Sequence, residues 1–134
     1  MSSNQVRLAI VDYGLGNLYS VKQACEYAGM ETEITSSKDA LFAADAVILP
    51  GVGAFGDAMA TLGKLDLAQV LRDIAESGKF LIGICLGMQL LMTESYEFGA
   101  HKGLGIIDGV VIPFEDPVHA VSFDDSLRKL KVPQ

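Results

Sequence analysis

The residues best suited to chemistry stand in the stretch Gly83-Ile-Cys-Leu-Gly87. An apolar run, Phe80 to Ile84, predicts a short buried strand, and a helical leucine pattern begins directly after Cys85. Glycine two residues before and two residues after a cysteine is the thiol form of the nucleophile elbow, a turn too tight for side chains at those positions. This spacing predicts an exposed nucleophile at Cys85 and a free backbone N–H at Leu86 that could meet an oxyanion.

A cysteine packed as a small hydrophobe is the alternative interpretation of Cys85. Gln89 favours the nucleophile, because it falls four residues later, on the same helix face, where an apolar residue would be expected. The helix N-terminus would also favour the thiolate form of the sulfur. Cys25, in contrast, shares an apolar helix stripe with Leu18 and Val21, and we expect it in the core.

A second glycine-rich stretch, Pro50-Gly-Val-Gly-Ala-Phe-Gly56, follows an apolar run and precedes a helical pattern. Its G-x-G-x-x-G spacing resembles a dinucleotide fingerprint, but the acidic residue expected about twenty positions later falls near Asp73, inside a predicted helix. A plain turn is another alternative. The favoured role is a second oxyanion donor, in which backbone N–H groups of Gly51, Val52 and Gly53 face the same reaction intermediate as Leu86.

The pattern between these stretches alternates strands with helices. Apolar runs predict parallel strands, and the intervening segments predict helices that end near glycine. The predicted strands are Val6–Val11, Glu31–Thr35, Ala46–Leu49 and Phe80–Ile84; the predicted helices follow Asn17 and Ser37 as caps and cover about 54–62 and 67–77. This order predicts a doubly wound, mostly parallel α/β sheet, in which function gathers at the carboxyl ends of the strands.

The last third of the chain is less regular. We expect a polar loop over Glu94–Gly105 that contains His101, a strand over Gly109–Phe114 that leaves the parallel layer, and a loop-like end with a brief amphipathic piece at Leu127–Leu130. The sequence contains one further histidine, His119, which we expect in an exposed loop.

Composition narrows the function classes. The 134 residues provide for one domain with one core, and a formal net charge of −7 argues against nonspecific binding to nucleic acid or to an anionic membrane. Apolar stretches are too short to cross a bilayer, and Met1 to Gln5 do not resemble a signal peptide. The two cysteines do not suggest a disulfide framework, so we expect a cytoplasmic protein.

Four stretches together resemble the class-I (triad) glutamine amidotransferases, and more narrowly the glutaminase subunits of imidazole glycerol phosphate synthases. They are Val11-Asp-Tyr-Gly-Leu-Gly-Asn17, Leu49-Pro-Gly-Val-Gly-Ala-Phe-Gly56, Gly83-Ile-Cys-Leu-Gly-Met-Gln-Leu-Leu91 and Lys102-Gly-Leu-Gly-Ile-Ile107. The resemblance implies hydrolysis of glutamine to glutamate and ammonia without a cofactor or a metal. It also implies that the ammonia passes to a cyclase partner, a (β/α)8 barrel, in a heterodimer that makes imidazole glycerol phosphate.

The resemblance also implies roles for single residues. Cys85 would be the nucleophile, and the oxyanion hole would consist of Leu86 and the segment Gly51, Val52 and Gly53. Gln89 and Glu97 would hold the glutamine head group, while Asn17 would lie toward the partner. A helix cap for Asn17 and an exposed loop position for Glu97 are the alternatives.

One part of the family pattern is missing from these residues. The family completes its triad with a His-Pro-Glu segment, whereas neither His101 nor His119 precedes Pro-Glu. We therefore expect residues 1–134 to be the N-terminal two-thirds of a single amidotransferase domain and to be inactive as given, because a thiol that attacks an amide needs a base and an acid. A related subunit in surface-polysaccharide synthesis, a non-catalytic partner-docking module and a different elbow-cysteine hydrolase are the rival interpretations.

Overall fold

The computed structural model describes residues 5–114 and two further strands, His119–Val121 and Leu127–Lys129. A four-stranded parallel sheet forms its centre, in the order β2-β1-β3-β4. These strands are β1 (Arg7–Val11), β2 (Glu31–Thr35), β3 (Ala46–Leu49) and β4 (Phe80–Gly83). Helices connect them, namely α1 (Leu18–Tyr27), α2 (Lys38–Ala43), α3 (Phe55–Lys64) and α4 (Leu67–Glu76), and a short helix α5 (Leu86–Leu90) follows β4. The predicted doubly wound α/β arrangement is confirmed.

The sheet buries side chains on both faces, as alternation along a parallel strand requires. One face of β1 and β3 packs with α3, α4 and α5 in the larger core cluster, which includes Val11, Leu49 and the fully buried Phe55. The other face packs against α1 in a smaller cluster that contains Cys25, confirming the predicted core position of that cysteine. Helices therefore lie on the two sides of the sheet.

The prediction that Phe80–Ile84 is a buried strand is wrong in its burial. β4 is an edge strand of the sheet, and its side chains alternate between exposed and half-buried. Phe80 is 77% exposed and Ile82 is 44% exposed. The register pairs them with Ala46 and Ile48, which α1 covers together with β1, whereas β4 extends beyond that cover.

The prediction of a polar loop over Glu94–Gly105 is wrong in part, because this segment contains the end of one strand and the whole of another. β5 (Met92–Ser95) pairs antiparallel with β6 (His101–Lys102) and parallel with β7 (Ile107–Val111) in a separate three-stranded sheet. The predicted strand Gly109–Phe114 is observed as Ile107–Val111, so both of its bounds are shifted toward the N-terminus, and it does lie outside the main parallel layer. Pairing of β5 with β6 and β7 stabilises these strands, and the composition of each segment alone does not reveal it.

Two predictions for the end of the chain are wrong, because strands are found where loops were expected. β8 (His119–Val121) pairs antiparallel with β9 (Leu127–Lys129), so neither His119 nor Leu127–Lys129 lies in a loop. The remaining expectations for residues 115–134 lie outside the described residues.

Helix ends agree largely with the sequence signals. The hydroxyl of Ser37 accepts a hydrogen bond from the N–H of Ala40 at 3.3 Å, which is the expected cap of α2. Gly29 and Gly78 follow α1 and α4 with positive φ, as helix-terminating glycines do. Asn17 precedes α1, but its side chain makes no capping hydrogen bond.

Candidate active site

The three glycine-rich turns lie at one edge of the main sheet. β1, β3 and β4 are parallel neighbours, so their carboxyl ends point the same way. The turn 12–17 follows β1, the segment Gly51–Gly53 follows β3 and Pro50, and Cys85 follows β4. We call Gly51–Gly53 the oxyanion segment, after the role predicted for it from the sequence. This arrangement is the one in which ligands meet open α/β sheets.

Cys85 occupies the strained turn that a nucleophile elbow requires. Its backbone has φ 55° and ψ −120°, an unusual conformation for a residue with a side chain, and its side chain is exposed. A Cβ on Gly83 would stand 2.6 Å from the Met88 Cα, and one on Gly87 would overlap the Leu49 carbonyl group. The turn therefore requires both flanking glycines, as the spacing predicted.

The helix after the elbow is short. α5 spans five residues, so it is shorter than the helix that the sequence pattern suggested. Gln89 lies one turn along this helix, where its N–H donates to the Cys85 carbonyl at 3.2 Å. Its side chain is half-buried. The backbone places Gln89 on the Cys85 side of α5, in keeping with its expected role at the substrate.

Backbone contacts join the end of β3 to the elbow. The N–H of Ile84 donates to the Leu49 carbonyl at 3.0 Å. A Cβ on Gly51 would stand 3.0 Å from the Gly87 nitrogen and 3.0 Å from the Leu86 Cβ. The oxyanion segment thus begins directly against the first turn of α5.

Unused backbone donors are present on both sides of this contact. Within residues 5–114, the N–H groups of Leu86, Val52 and Gly53 donate no hydrogen bond. Val52 is 53% exposed, and Gly53 has φ 99° with open space around it. N–H groups that donate no other hydrogen bond beside a nucleophile elbow can stabilise the negative oxygen of a tetrahedral intermediate.

Glu97 approaches the far end of the same segment. Its carboxylate oxygen accepts a long hydrogen bond, 3.5 Å, from the N–H of Phe55, the first residue of α3. The Glu97 N–H donates to the hydroxyl of the buried Ser95 at 3.2 Å, which orients the loop. Glu97 is half-buried at a helix N-terminus and not in the freely exposed loop position that was the alternative.

Asn17 lies on the exposed surface at the start of α1, at the same edge of the sheet as Cys85. Within the described ranges, no group of three or more metal-ligating side chains lies together, and no helix has the length and apolarity needed to cross a bilayer.

Comparison with known proteins identifies the family. Residues 8–118 match the CobB/CobQ-like glutamine amidotransferase domain, which covers most of the chain. The chain belongs to the class-I glutamine amidotransferases.

Relatives of this amidotransferase chain include two curated bacterial proteins, both named imidazole glycerol phosphate synthase subunit HisH. The one from Aquifex aeolicus is 52% identical over 109 residues, which are 80% of this chain and 52% of that protein. The one from Bacillus subtilis is 45% identical over 126 residues, 94% of this chain and 57% of that protein. The chain therefore spans about half the length of the curated relatives it matches.

A solved structure described as a glutamine amidotransferase has the same fold. Its TM-score is 0.67 at 22% identity, covering 84% of this chain and 61% of that chain. At this identity the likeness supports the fold alone.

Two residues that contact the surroundings of the candidate site were not predicted from the sequence. The Tyr13 hydroxyl donates to the Pro50 carbonyl at 2.6 Å, directly before the oxyanion segment. His101 lies in a pocket that also contains Glu97, and its ring fills the space beside Gly56, where a Cβ would stand 2.8 Å from His101 Cε1. A tyrosine inside a glycine-rich turn was a sequence signal that could have pointed to Tyr13. The position of His101 depends on the pairing of β5 with β6.

Proposed function

We propose that the chain provides the thiol half of a glutaminase, which hydrolyses glutamine to glutamate and ammonia for a cyclase partner in histidine biosynthesis. The observation that carries the proposal is the strained, exposed Cys85 beside the unused N–H groups of Leu86 and the oxyanion segment. The names of the curated relatives support the pathway, since those proteins are subunits of imidazole glycerol phosphate synthase.

The chemistry begins with the thiolate of Cys85. Its sulfur attacks the carboxamide carbon of glutamine, and the carbonyl oxygen becomes an oxyanion that accepts hydrogen bonds from Leu86 and the oxyanion segment. Collapse of this intermediate breaks the C–N bond, and ammonia leaves after it receives a proton. Water then hydrolyses the thioester to glutamate and restores the thiol. Gln89 and Glu97 would hold the amino-acid head group during these steps, and the negative charge of Glu97 suits an ammonium.

The proton transfers require a group that these 134 residues do not supply by motif. The family uses a His-Pro-Glu segment, and the sequence contains none. We propose that residues 1–134 form the N-terminal part of one glutaminase domain. The ammonia would pass through a tunnel to a (β/α)8 barrel cyclase, with the surface around Asn17 toward that partner, and the heterodimer would work in the cytoplasm.

A paired assay of glutamate release tests this proposal. The 134-residue chain and a version extended to the length of its relatives are each mixed with the cyclase and glutamine. We expect release only from the extended protein, and we expect Cys85→Ala to abolish it. A general acid or base contributes about 10²–10⁴-fold to a rate, so the rates of glutamate release by the two proteins should differ by a factor in this range or larger. Release from the short chain that His101→Ala or His119→Ala abolishes would show that an internal histidine is the base.

Partner docking without catalysis is the second candidate, and the missing His-Pro-Glu segment favours it for the chain as written. Titration of the cyclase with the 134-residue Cys85→Ala variant separates the two functions. Binding with no release from the extended wild-type protein would favour docking, whereas release from the extended protein establishes the glutaminase.

A further inference from the structure

We propose that Tyr13 is a positioning residue for the reaction, because its hydroxyl holds the peptide from which the oxyanion segment starts. This inference rests on the proposed glutaminase function. It assigns no contact between Tyr13 and glutamine; the hydroxyl acts through the backbone of Pro50 and Gly51.

The Tyr13 hydroxyl is well suited to this role. The side chain is only 3% exposed, and its hydroxyl donates to the Pro50 carbonyl over a short distance of 2.6 Å. Burial raises the pKa of Tyr13 to about 12, so the phenol stays protonated and remains a donor throughout the physiological range. A buried hydroxyl without a partner would be costly, and this carbonyl is the partner the structure gives it.

Holding the Pro50 carbonyl also orients the next N–H group. A trans peptide is planar, so the N–H of Gly51 points opposite to the Pro50 C=O. Proline has no N–H, so the preceding Leu49–Pro50 peptide offers no donor that could hold the chain at this point. The bond from Tyr13 therefore sets the plane from which the oxyanion segment leaves β3.

Packing around Gly51 reinforces this control. A Cβ on Gly51 would stand 2.5 Å from the Tyr13 hydroxyl oxygen on one side and 3.0 Å from the Gly87 nitrogen on the other. The backbone of Gly51 is therefore enclosed between the hydroxyl and the first turn of the Cys85 helix. A shift of the hydroxyl would move the segment relative to Leu86, its partner in oxyanion binding.

Hydrogen bonds flank the oxyanion segment on both sides. Before the segment, the Tyr13 hydroxyl donates to the Pro50 carbonyl, and after it the N–H of Phe55 donates to the Glu97 carboxylate. Between these bonds, Val52 and Gly53 make no hydrogen bond within residues 5–114. Since the bond to Glu97 is long at 3.5 Å, the Tyr13 bond is the stronger constraint on where the N–H groups point.

The test uses the 134-residue chain and a glutamine analogue in which CH2Cl replaces the amide NH2. The Cys85 thiol gives its proton to solvent, the sulfur forms a bond to the CH2 carbon, and chloride leaves, while the ketone oxygen occupies the oxyanion site. This reaction needs no general acid. Iodoacetamide has no amino-acid head group that could place its carbonyl in the oxyanion site. Its rate therefore reports the intrinsic reactivity of the Cys85 sulfur. Tyr13→Phe removes only the hydroxyl, and Tyr27→Phe is the matched control because Tyr27 is 97% exposed.

We expect Tyr13→Phe to lower the limiting alkylation rate by the analogue about tenfold or more, since small misplacements of catalytic groups are costly. The half-saturating concentration and the iodoacetamide rate should stay within about twofold, and Tyr27→Phe should match wild type. An unchanged limiting rate in Tyr13→Phe would overturn the inference alone. An equal fall in both alkylation rates would assign Tyr13 a general structural role and also overturn it. If the wild-type chain shows neither saturation nor protection by glutamine, the same measurements are made on the version extended to the length of the relatives, where the same result would overturn the proposed function.

Discussion

Gly87 and Leu49 lie in direct backbone contact, and this contact fixes the elbow to the end of β3. A Cβ on Gly87 would overlap the Leu49 carbonyl oxygen and stand 2.6 Å from its carbonyl carbon. The Leu49 oxygen also accepts the hydrogen bond from Ile84, so it cannot move away without breaking that bond. Cys85 and the oxyanion segment therefore share one closely packed junction.

We expect Gly87→Ala to destabilise the protein by about 1–3 kcal/mol or more, because the added methyl group meets backbone and not a side chain that can turn away. Chemical denaturation followed by circular dichroism measures the free energy of unfolding. Gly63→Ala is the matched control: Gly63 lies in α3 with nothing within 4 Å of its added Cβ, and this change should stabilise by about 0.5–1 kcal/mol. Equal effects of the two changes would contradict the proposed contact.

Cys85 should react faster with iodoacetamide than Cys25. Cys85 is exposed at the elbow, whereas Cys25 is 9% exposed in the α1 core cluster. Peptide mapping after brief labelling of the folded protein measures the two rates, and labelling in denaturant provides the reference in which both react. Preferential labelling of Cys25 in the folded state would reject Cys85 as the nucleophile.

Gly53 offers a cleaner test of the oxyanion segment than Gly51. A side chain on Gly51 would collide with Tyr13 and Gly87. A loss of activity in a Gly51 variant would therefore combine structural and catalytic effects. Gly53 has open space, and a valine there strains only the backbone at φ 99°. In a version extended to the length of the relatives, Gly53→Val should lower kcat by about 10²-fold, which corresponds to about 3 kcal/mol of transition-state stabilisation. KM should stay nearly unchanged.

Gly29→Val is the control for this substitution, since Gly29 has φ 88° and open space but follows α1 away from the site. It should lower stability without lowering kcat. A raised KM with unchanged kcat in Gly53→Val would reject the oxyanion role.

The sequence predicted the local features of this site better than the distant ones. The glycine spacing around Cys85 reports a turn of five residues, so the elbow could be predicted from adjacent positions. Tyr13 was missed because its partner, Pro50, lies 37 positions away, and the turn 12–17 alone does not show which carbonyl group its tyrosine reaches. The buried character assigned to Phe80 failed for a similar reason, because exposure depends on which strand stands beside it.

Alkaline pH should reveal the buried phenol. The pKa of Tyr13 is about 12 in the folded protein and near 10 when unfolded, so between these values the unfolded chain loses a proton that the folded chain keeps. The stability from this group is complete below pH 10 and falls as the pH rises from 10 to 12. Unfolding free energies across this window should decline less steeply in Tyr13→Phe than in wild type; parallel slopes would contradict the raised pKa.

The edge strand β4 predicts self-association of the 134-residue chain. Phe80 and Ile82 point to one face of the sheet beyond the cover of α1, and they are 77% and 44% exposed. Backbone N–H and C=O groups along an edge strand can pair with a second chain, and an adjacent apolar face adds a favourable contact. We expect the sedimentation coefficient to rise with protein concentration in the micromolar range.

Phe80→Lys should suppress this association, because it places a charge on the face that would be covered and on the strand that would pair. Tyr27→Lys is its matched control, since it removes a 97% exposed aromatic side chain from α1 and leaves β4 unchanged. Sedimentation velocity of both variants and wild type at equal concentrations decides between the two surfaces. Monomeric behaviour restored by Tyr27→Lys and not by Phe80→Lys would assign the association to α1. In a version extended to the length of the relatives, additional residues that cover Phe80 should keep the protein monomeric without either substitution. Oxidative footprinting should then show less modification of Phe80 than in the 134-residue chain.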